Sequence, residues 1–144
     1  MYDEILEIQN AYDVVANRYG HTLSLGGCLT NYQDFDYVIC LTPDVVSHNR
    51  TGMPTFYLPF NDTRQLPSES LMTDAVDLVE WCMRRGNTLV HCSAGVNRSA
   101  MIVALWMIKH TGMNALSAIN HLRAVRSQSV LSNETFFYRV VFND

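Results

Sequence analysis

A short run of strand-forming residues leads directly into an apolar helix in the second half of the chain. The predicted strand covers Thr88 to His91, and the apolar run from Ala100 to Ile108 indicates a buried helix that ends near Gly112. This run is well short of the roughly 20 residues that a membrane-spanning helix needs. A strand that turns straight into a buried helix is typical of α/β proteins, in which helices cover a parallel sheet.

The rest of the chain also alternates between short strands and amphipathic segments. Strands are predicted over 23–26, 36–42 and 55–58, and helices over 3–17, 71–82, 115–125 and 132–141. Ser68 and Ser132 are expected to cap two of the helices, and Gly86 to close one of them. This order predicts an α/β fold with a central, mostly parallel sheet of four to five strands flanked by helices. Such sheets bind ligands beyond the carboxyl ends of their strands, where the junction at 91–99 is placed.

Length and charge narrow the class of protein. The 144 residues contain no repeat and no low-complexity tract, so we expect one domain over residues 1–144. A formal charge of −4 makes a nucleic-acid partner unlikely, since such proteins usually present a basic surface. No membrane partner is expected, and a monomer is favoured.

The cysteines indicate a reducing compartment. The four of them form no C-x-x-C pair, and no histidine lies at zinc-finger spacing, so neither a metal nor another cofactor is expected. The acidic amino terminus, MYDEILEIQN, lacks the apolar core of a signal peptide, which favours a cytoplasmic protein with reduced thiols. Cys40 ends a strand near Cys92, and a packed thiol is favoured there over a disulfide between the two.

The junction HCSAGVNRSA combines residues that suit phosphate chemistry. Cys92 ends the strand, Arg98 opens the helix, and Gly95 between them permits unusual backbone dihedrals. Such a loop can turn several N–H groups toward one anion, while the helix dipole and the arginine add positive charge. The same surroundings favour the thiolate form of a cysteine, which is a good nucleophile. Ser99 can donate its hydroxyl to the sulfur, and His91 can fix the loop by bonding backbone groups.

The string H-C-x-x-G-x-x-R-S resembles the signature of the cysteine-based protein tyrosine phosphatase family, and HCSAGVNRSA looks most like its small dual-specificity branch. Further segments are similar to that family: LSLGG, DYVICLTP, YLPFND, and VRSQSVLSNETFF with Arg126, Asn133 and Phe136. Together they cover about residues 20–142. The stretch from Gly27 to Asp36 is shorter than expected of relatives and leaves room for little more than a turn, which predicts a low rim on that side of the pocket.

The resemblance implies a two-step hydrolysis that needs no metal. It maps the general acid onto Asp62, which protonates the leaving oxygen while Cys92 attacks phosphorus, and which then activates the water that hydrolyses the phosphocysteine. Arg98 and the loop N–H groups would hold the phosphoryl oxygens. The substrate-binding residues implied are Ser93, Ala94, Gly95, Val96, Asn97 and Arg98. The implied substrate is a phosphorylated protein, with phosphotyrosine and phosphoserine or phosphothreonine both accepted in a shallow pocket.

Several alternatives stay open at this point. Taken alone, Cys92 also fits a buried, inert thiol. The same chemistry can act on an RNA 5′-triphosphate or a phosphoinositide, although the loop lacks lysines suited to an inositol head group, and an inactive phosphate-binding module is a third possibility. Asp36 and Asp44 are the alternative acids. Arg123 and Arg126 are expected to favour a helix terminus or form surface pairs rather than meet a second phosphate.

Overall fold

A five-stranded sheet lies at the centre of the computed structural model, which describes residues 12–43 and 54–143. Its strands are β1 (Tyr12–Arg18), β2 (His21–Gly26), β3 (Tyr37–Cys40), β4 (Thr55–Tyr57) and β5 (Thr88–His91). They lie in the order β1-β2-β5-β3-β4. The last four of these are parallel neighbours, whereas β1 pairs antiparallel with β2. The predicted α/β fold with a mostly parallel sheet is confirmed.

Four α-helices within the described ranges flank the sheet. They are α1 (Glu69–Met83), α2 (Arg98–Thr111), α3 (Ala115–Val125) and α4 (Glu134–Val141). Helix α2 is buried continuously from Arg98 to Met107, because it packs against neighbours on all sides rather than along one stripe. It follows directly on β5, so the predicted junction of a strand and a buried helix is confirmed.

The strand register brings three loop starts together at one edge of the sheet. β5 lies between β2 and β3, and its last residue, His91, is paired with Gly26 on one side and with Cys40 on the other. The segments that follow these three residues therefore leave the sheet side by side. This is the carboxyl edge at which ligands of parallel sheets bind.

The helix ends correct two details of the sequence analysis. Ser68 does cap α1, since its side chain accepts a hydrogen bond from Leu71 N at 3.1 Å. The cap of α4 is Asn133 and not Ser132, because the Asn133 side chain is the one that accepts from Phe136 N. Gly86 does not close α1 through a left-handed turn; it gives room to Asp36, whose side-chain atoms lie within 2.9 Å of the position a Cβ would take.

The helix predicted over residues 3–17 is wrong where it can be compared. Tyr12–Arg18 forms β1, and residues 3–11 lie outside the described ranges. The apolar residues of this stretch fit a helical period because a bulge between Val14 and Ala16 breaks the alternation that a regular strand would show. Pairing with β2 and burial of Val15 decide the structure instead.

Neither a membrane span nor a metal cluster is found in the described part of the chain. No helix there has the length and apolar character needed to cross a bilayer. No group of three or more His, Cys, Asp or Glu side chains among those residues is arranged to hold a metal ion.

Candidate active site

Residues Cys92 to Arg98, here called the cysteine loop, connect the end of β5 to the start of α2. The loop lies over the amino terminus of α2, where the first backbone N–H groups have no partner within the helix. Asn97 occupies the N-cap position, yet its side chain makes no cap hydrogen bond. The positive end of the helix dipole therefore faces the loop without being neutralised by a capping oxygen.

Backbone donors from two other segments bind the carbonyl oxygens at the ends of the cysteine loop. Ser93 O accepts from Cys28 N at 3.0 Å, and Val96 O accepts from Leu131 N at 2.7 Å. Among the described residues, no hydrogen bond uses a backbone N–H from Ser93 to Asn97. These N–H groups are therefore available to an anion, as in an anion-binding nest.

Arg126 binds the middle of the cysteine loop from outside. Its Nη2 donates to Ala94 O at 3.0 Å and its Nε to Gly95 O at 3.4 Å, while Nη1 pairs with Asp13 at 3.1 Å. The side chain is only 3% exposed. Arg126 is the C-cap residue of α3, in line with the expected helix terminus, but its guanidinium is buried and supports the backbone of the cysteine loop, which had not been expected.

Gly95 is required by the shape of the cysteine loop. Its φ of +74° lies in the left-handed region that glycine adopts without strain. A Cβ at this position would lie 2.6 Å from Gly26 O, at the end of β2. The loop thus packs directly on the neighbouring strand, and no larger residue fits there without moving one of them.

The sulfur of Cys92 lies in hydrogen-bond contact with Ser99. The Cys92 Sγ to Ser99 Oγ distance is 3.1 Å, and both residues are buried. This is the pairing predicted from the sequence. A hydroxyl at this distance can donate to a sulfur that carries negative charge.

Arg98 is 7% exposed, and three acceptors bind its guanidinium. Nη1 donates to Phe60 O at 3.1 Å and to Thr42 Oγ1 at 3.4 Å, and Nη2 donates to Ser93 Oγ at 3.1 Å. Its buried Nε has no hydrogen-bond partner in the described part of the chain. A buried donor without an acceptor is costly, and a bound oxyanion would satisfy it.

His91 is locked beneath the cysteine loop in a neutral form. Tyr32 Oη lies 2.5 Å from His91 Nε2, and His91 Nδ1 lies 3.2 Å from Cys92 O. The tyrosine O–H therefore donates to Nε2, and the Nδ1–H donates to the carbonyl of the cysteine. Burial lowers the pKa of His91 to about 4, outweighing the bond to Cys92 O, which raises it, and Arg98 lowers it further. The expectation that His91 bonds loop backbone is confirmed.

Asp62 lies on the segment from Phe60 to Leu66, which we call the aspartate loop; Phe60 is buried, and residues 61–66 are exposed. Both carboxylate oxygens are bound by side-chain amides. Asn97 Nδ2 donates to Oδ2 at 3.1 Å, and Asn133 Nδ2 donates to Oδ1 at 2.6 Å. Asp62 is thus brought to the rim of the cysteine loop through Asn97.

The remaining candidates are placed elsewhere. Asp36 precedes β3 at the amino edge of the sheet and accepts from Asn87 N, far from the carboxyl edge; Asp44 lies outside the described ranges. Cys40 is a buried thiol outside any disulfide, and its Sγ donates to Thr42 O at 3.5 Å, as a packed strand thiol would. Arg123 donates to Val130 O at 2.9 Å beyond the end of its helix.

Three contacts of the site were not predicted from the sequence, although the family resemblance had singled out Arg126 and Asn133. They are the support of the cysteine loop by Arg126, the bond of Tyr32 to His91, and the bond of Asn133 to Asp62. The residues of each pair are 32, 59 and 71 positions apart, respectively. The short stretch from Gly27 to Asp36 is the source of Tyr32, which a 3-10 turn over Tyr32–Asp34 delivers to the site.

Comparison with known proteins places this geometry in a family. The profile of the dual specificity phosphatase catalytic domain matches residues 19–141. Protein 123R of Invertebrate iridescent virus 6, named as a tyrosine phosphatase, is 30% identical over 115 residues, which make up 79% of this chain and 78% of the viral protein. The phosphatidylglycerophosphate phosphatase PTPMT2 of Arabidopsis thaliana is 29% identical over 110 residues, 76% of this chain and 46% of the plant protein.

The fold has close counterparts among solved structures. The crystal structure of human DUSP28 is similar with a TM-score of 0.74 and 15% identity, over 91% of this chain and 96% of that one. The family profile covers most of the chain, including β2 to β5 and all four described helices. The chain therefore belongs to the dual specificity phosphatases, a family of cysteine-based hydrolases.

Proposed function

We propose that this chain removes phosphate from phosphotyrosine and from phosphoserine or phosphothreonine in proteins, through a phosphocysteine intermediate. One observation carries the proposal: the N–H groups of Ser93 to Asn97 and the buried Nε of Arg98 have no acceptor in the described ranges, and all of them belong to the loop that begins at Cys92. A phosphoryl group offers three oxygens to such donors. These donors bind the phosphoryl oxygens more strongly in the transition state, where negative charge spreads over those oxygens.

In the first step, the sulfur of Cys92 attacks phosphorus and the bond from phosphorus to the ester oxygen breaks. Asp62 gives its proton to that oxygen, so that the product leaves as a neutral alcohol. Arg98 binds two of the phosphoryl oxygens, and the backbone N–H groups of Ser93, Ala94, Gly95, Val96 and Asn97 bind the others.

In the second step, water attacks the phosphocysteine and the bond from sulfur to phosphorus breaks. Asp62, now a carboxylate, takes a proton from the water. The departing sulfur carries the negative charge, and Ser99 Oγ, 3.1 Å away, donates to it. His91 takes no proton in this scheme; it keeps the Cys92 carbonyl in place. No metal or cofactor has a part in it.

The proposal treats residues 1–144 as a single catalytic domain, monomeric and cytoplasmic. None of the four cysteines, all of which lie in the described ranges, forms a disulfide, which suits a reducing compartment. A protein substrate is supported by the viral relative, which is named as a tyrosine phosphatase and matches over 78% of its own length.

A lipid phosphate monoester is the second candidate substrate. The plant relative is named as a phosphatidylglycerophosphate phosphatase and is 29% identical. Against an inositol lipid, the cysteine loop SAGVN contains no lysine to meet a second phosphate. Comparing kcat/KM on a phosphotyrosine peptide, a phosphothreonine peptide, micellar phosphatidylglycerophosphate and RNA with a 5′-triphosphate separates these classes. We expect the peptides to give the highest values; a higher value on the lipid or the RNA would replace the protein substrate.

The chemistry itself is tested with p-nitrophenyl phosphate. We expect hydrolysis that continues in the presence of EDTA and is inhibited by vanadate, and a loss of at least about 10³-fold in Cys92→Ser because a hydroxyl is a far weaker nucleophile. Cys82→Ala is the matched control, since burial raises the pKa of Cys82 to about 12 and keeps this thiol inert. Wild-type turnover by Cys92→Ser would overturn the mechanism.

A further inference from the structure

The aspartate loop contains no helix or strand, and little of its own backbone fixes Asp62. Its first residue is anchored by Phe60 N donating to Leu41 O at 3.1 Å. Beyond that point, the side chain of Thr63 accepts from Gln65 N at 3.2 Å, a contact within the loop. Residues 61–66 are all exposed. From outside, side chains bind the loop at Thr63 O and Arg64 O, and the orientation of the Asp62 carboxylate depends further on what its own oxygens contact.

Asn97 joins this carboxylate to the cysteine loop. Its Nδ2 donates to Asp62 Oδ2 at 3.1 Å, and its Oδ1 accepts from Asn133 N at 2.9 Å. The side chain makes no cap bond to α2, although it occupies the N-cap position. Its hydrogen bonds therefore join the aspartate loop and the residue that caps α4.

Asn133 holds the second carboxylate oxygen. Its Nδ2 donates to Asp62 Oδ1 at 2.6 Å and to Thr63 O at 2.8 Å. Its Oδ1 separately accepts from Phe136 N at 3.3 Å, the N-cap bond of α4. The oxygen of the Asn133 amide thus caps α4, and its nitrogen binds the aspartate loop.

We infer that Asn97 and Asn133 are positioning residues that together fix Asp62 for proton transfer, an inference that rests on the proposed function. Each carboxylate oxygen is bound by an amide from a different element, so the carboxyl plane is set relative to the cysteine loop. Asn97 is adjacent to Arg98, which couples the place of the acid directly to the place of the phosphate. Proton transfer needs this alignment of the acid with the phosphate, because small displacements of a catalytic group lower the rate by large factors.

Serine at each position removes the amide N–H that binds Asp62. Asn97→Ser also removes the acceptor of Asn133 N, and Asn133→Ser also removes the donor to Thr63 O. In Asn133→Ser the serine retains the N-cap acceptor for α4, since serine caps about as well as asparagine. In Asn97→Ser no cap bond is lost, because none exists. Thr135→Val is the matched control: Thr135 Oγ1 donates to Arg64 O of the same loop at 3.1 Å but does not contact Asp62.

The readout is the dependence of kcat/KM on the leaving group. Both substrates form the same phosphocysteine, so kcat/KM reports the first step, in which the acid donates its proton, and not the shared second step. Phenol is a poorer leaving group than p-nitrophenol and depends more on the acid. For each asparagine variant we expect kcat/KM to fall on the order of tenfold on phenyl phosphate and about twofold on p-nitrophenyl phosphate. In an Asp62→Ala background, the same substitutions should add nothing. Thr135→Val should retain the wild-type ratio of the two rates.

The outcomes separate this inference from the proposed function. Equal losses of kcat/KM on both substrates, or a further loss in the Asp62→Ala background, would show that the asparagines act on the fold or on phosphate binding and would overturn the positioning role while the phosphatase chemistry stands. A wild-type protein that hydrolyses neither aryl phosphate would overturn the proposed function and the positioning role together.

Discussion

The cysteine loop and the aspartate loop lie side by side but are held in different ways. Cys92, Gly95 and Arg98 are buried, and the carbonyls of the cysteine loop are bound by backbone N–H groups and by the buried Arg126. The aspartate loop is exposed from residue 61 to 66, and side-chain amides fix its carboxylate. One loop is built into the core, and the other is attached to it.

This difference separates two requirements of the proposed chemistry. A phosphate cradle stabilises charge only if its donors are fixed in advance, because reorienting them during the reaction would cost the free energy they provide. An acid must approach substrates of different size, and an exposed segment with few apolar contacts opens at low free-energy cost. Changes in the cysteine loop should therefore alter both stability and turnover, whereas changes in the aspartate loop should alter turnover alone.

The largest effect is expected from Arg98→Lys. The lysine keeps the charge but loses the planar fork, including the Nε donor that has no partner in the described residues. Turnover of p-nitrophenyl phosphate should fall on the order of 10³-fold, and the bonds to Phe60 O and Ser93 Oγ should be weakened. Steady-state kinetics of the variant checks this; a loss under tenfold would mean that charge alone, without the fork, is sufficient.

Gly95→Ala tests how closely the cysteine loop is built into the fold. The substitution places a Cβ at a φ of +74° and 2.6 Å from Gly26 O. Left-handed strain and overpacking together should lower the free energy of unfolding by about 2–4 kcal/mol, with turnover reduced as well. Urea unfolding at pH 7 measures it. A variant as stable as the wild type would show that the loop adjusts, and the contrast with the aspartate loop would weaken.

The pH dependence of stability gives the next effect through His91. Its pKa is about 4 in the folded protein against an ordinary 6.5, so the unfolded chain binds this proton first as the pH falls. Above pH 6.5 the histidine is neutral in both the folded and the unfolded chain, so it does not lower the free energy of unfolding. As the pH falls from about 6.5 through 4, that free energy decreases by about 3 kcal/mol in all. In the folded protein the ring stays neutral over this range and keeps the Tyr32 bond; it is protonated only below about pH 4.

His91→Asn isolates this contribution. The asparagine amide can still donate to Cys92 O but does not titrate, so the variant should lose about 2–3 kcal/mol less than the wild type between pH 7 and about pH 4.5. Carboxylates such as Asp77, whose pKa is lowered by its hydrogen bond to Lys109, add a loss at still lower pH in both proteins. Parallel curves for the two proteins would show that His91 is not the buried neutral group described above.

The same contrast explains what could be predicted from the sequence. Cys92, Arg98 and Ser99 lie within eight consecutive residues at a junction of strand and helix, so their local spacing predicts the pairing that is found at 3.1 Å. The contacts of Asn133, Tyr32 and Arg126 join segments far apart in the chain, and no local period encodes them. The strand over Tyr12–Arg18 was missed for a related reason, since its pairing with β2 overrides the helical spacing of its apolar residues.

The smallest effect, and the sharpest test of the contrast, is expected from Thr63→Ala. Thr63 is exposed on the aspartate loop, and its hydroxyl bonds only within that loop, to Gln65 N and Gln65 O. Removing it should change the free energy of unfolding by less than about 0.5 kcal/mol, as for most exposed positions, while loosening the segment next to Asp62. Turnover of phenyl phosphate should then fall about twofold to threefold at unchanged stability, which paired urea unfolding and kinetics can resolve. If the free energy of unfolding fell as much as is expected for Gly95→Ala, the aspartate loop would be part of the core, and the acid would be no more mobile than the nucleophile.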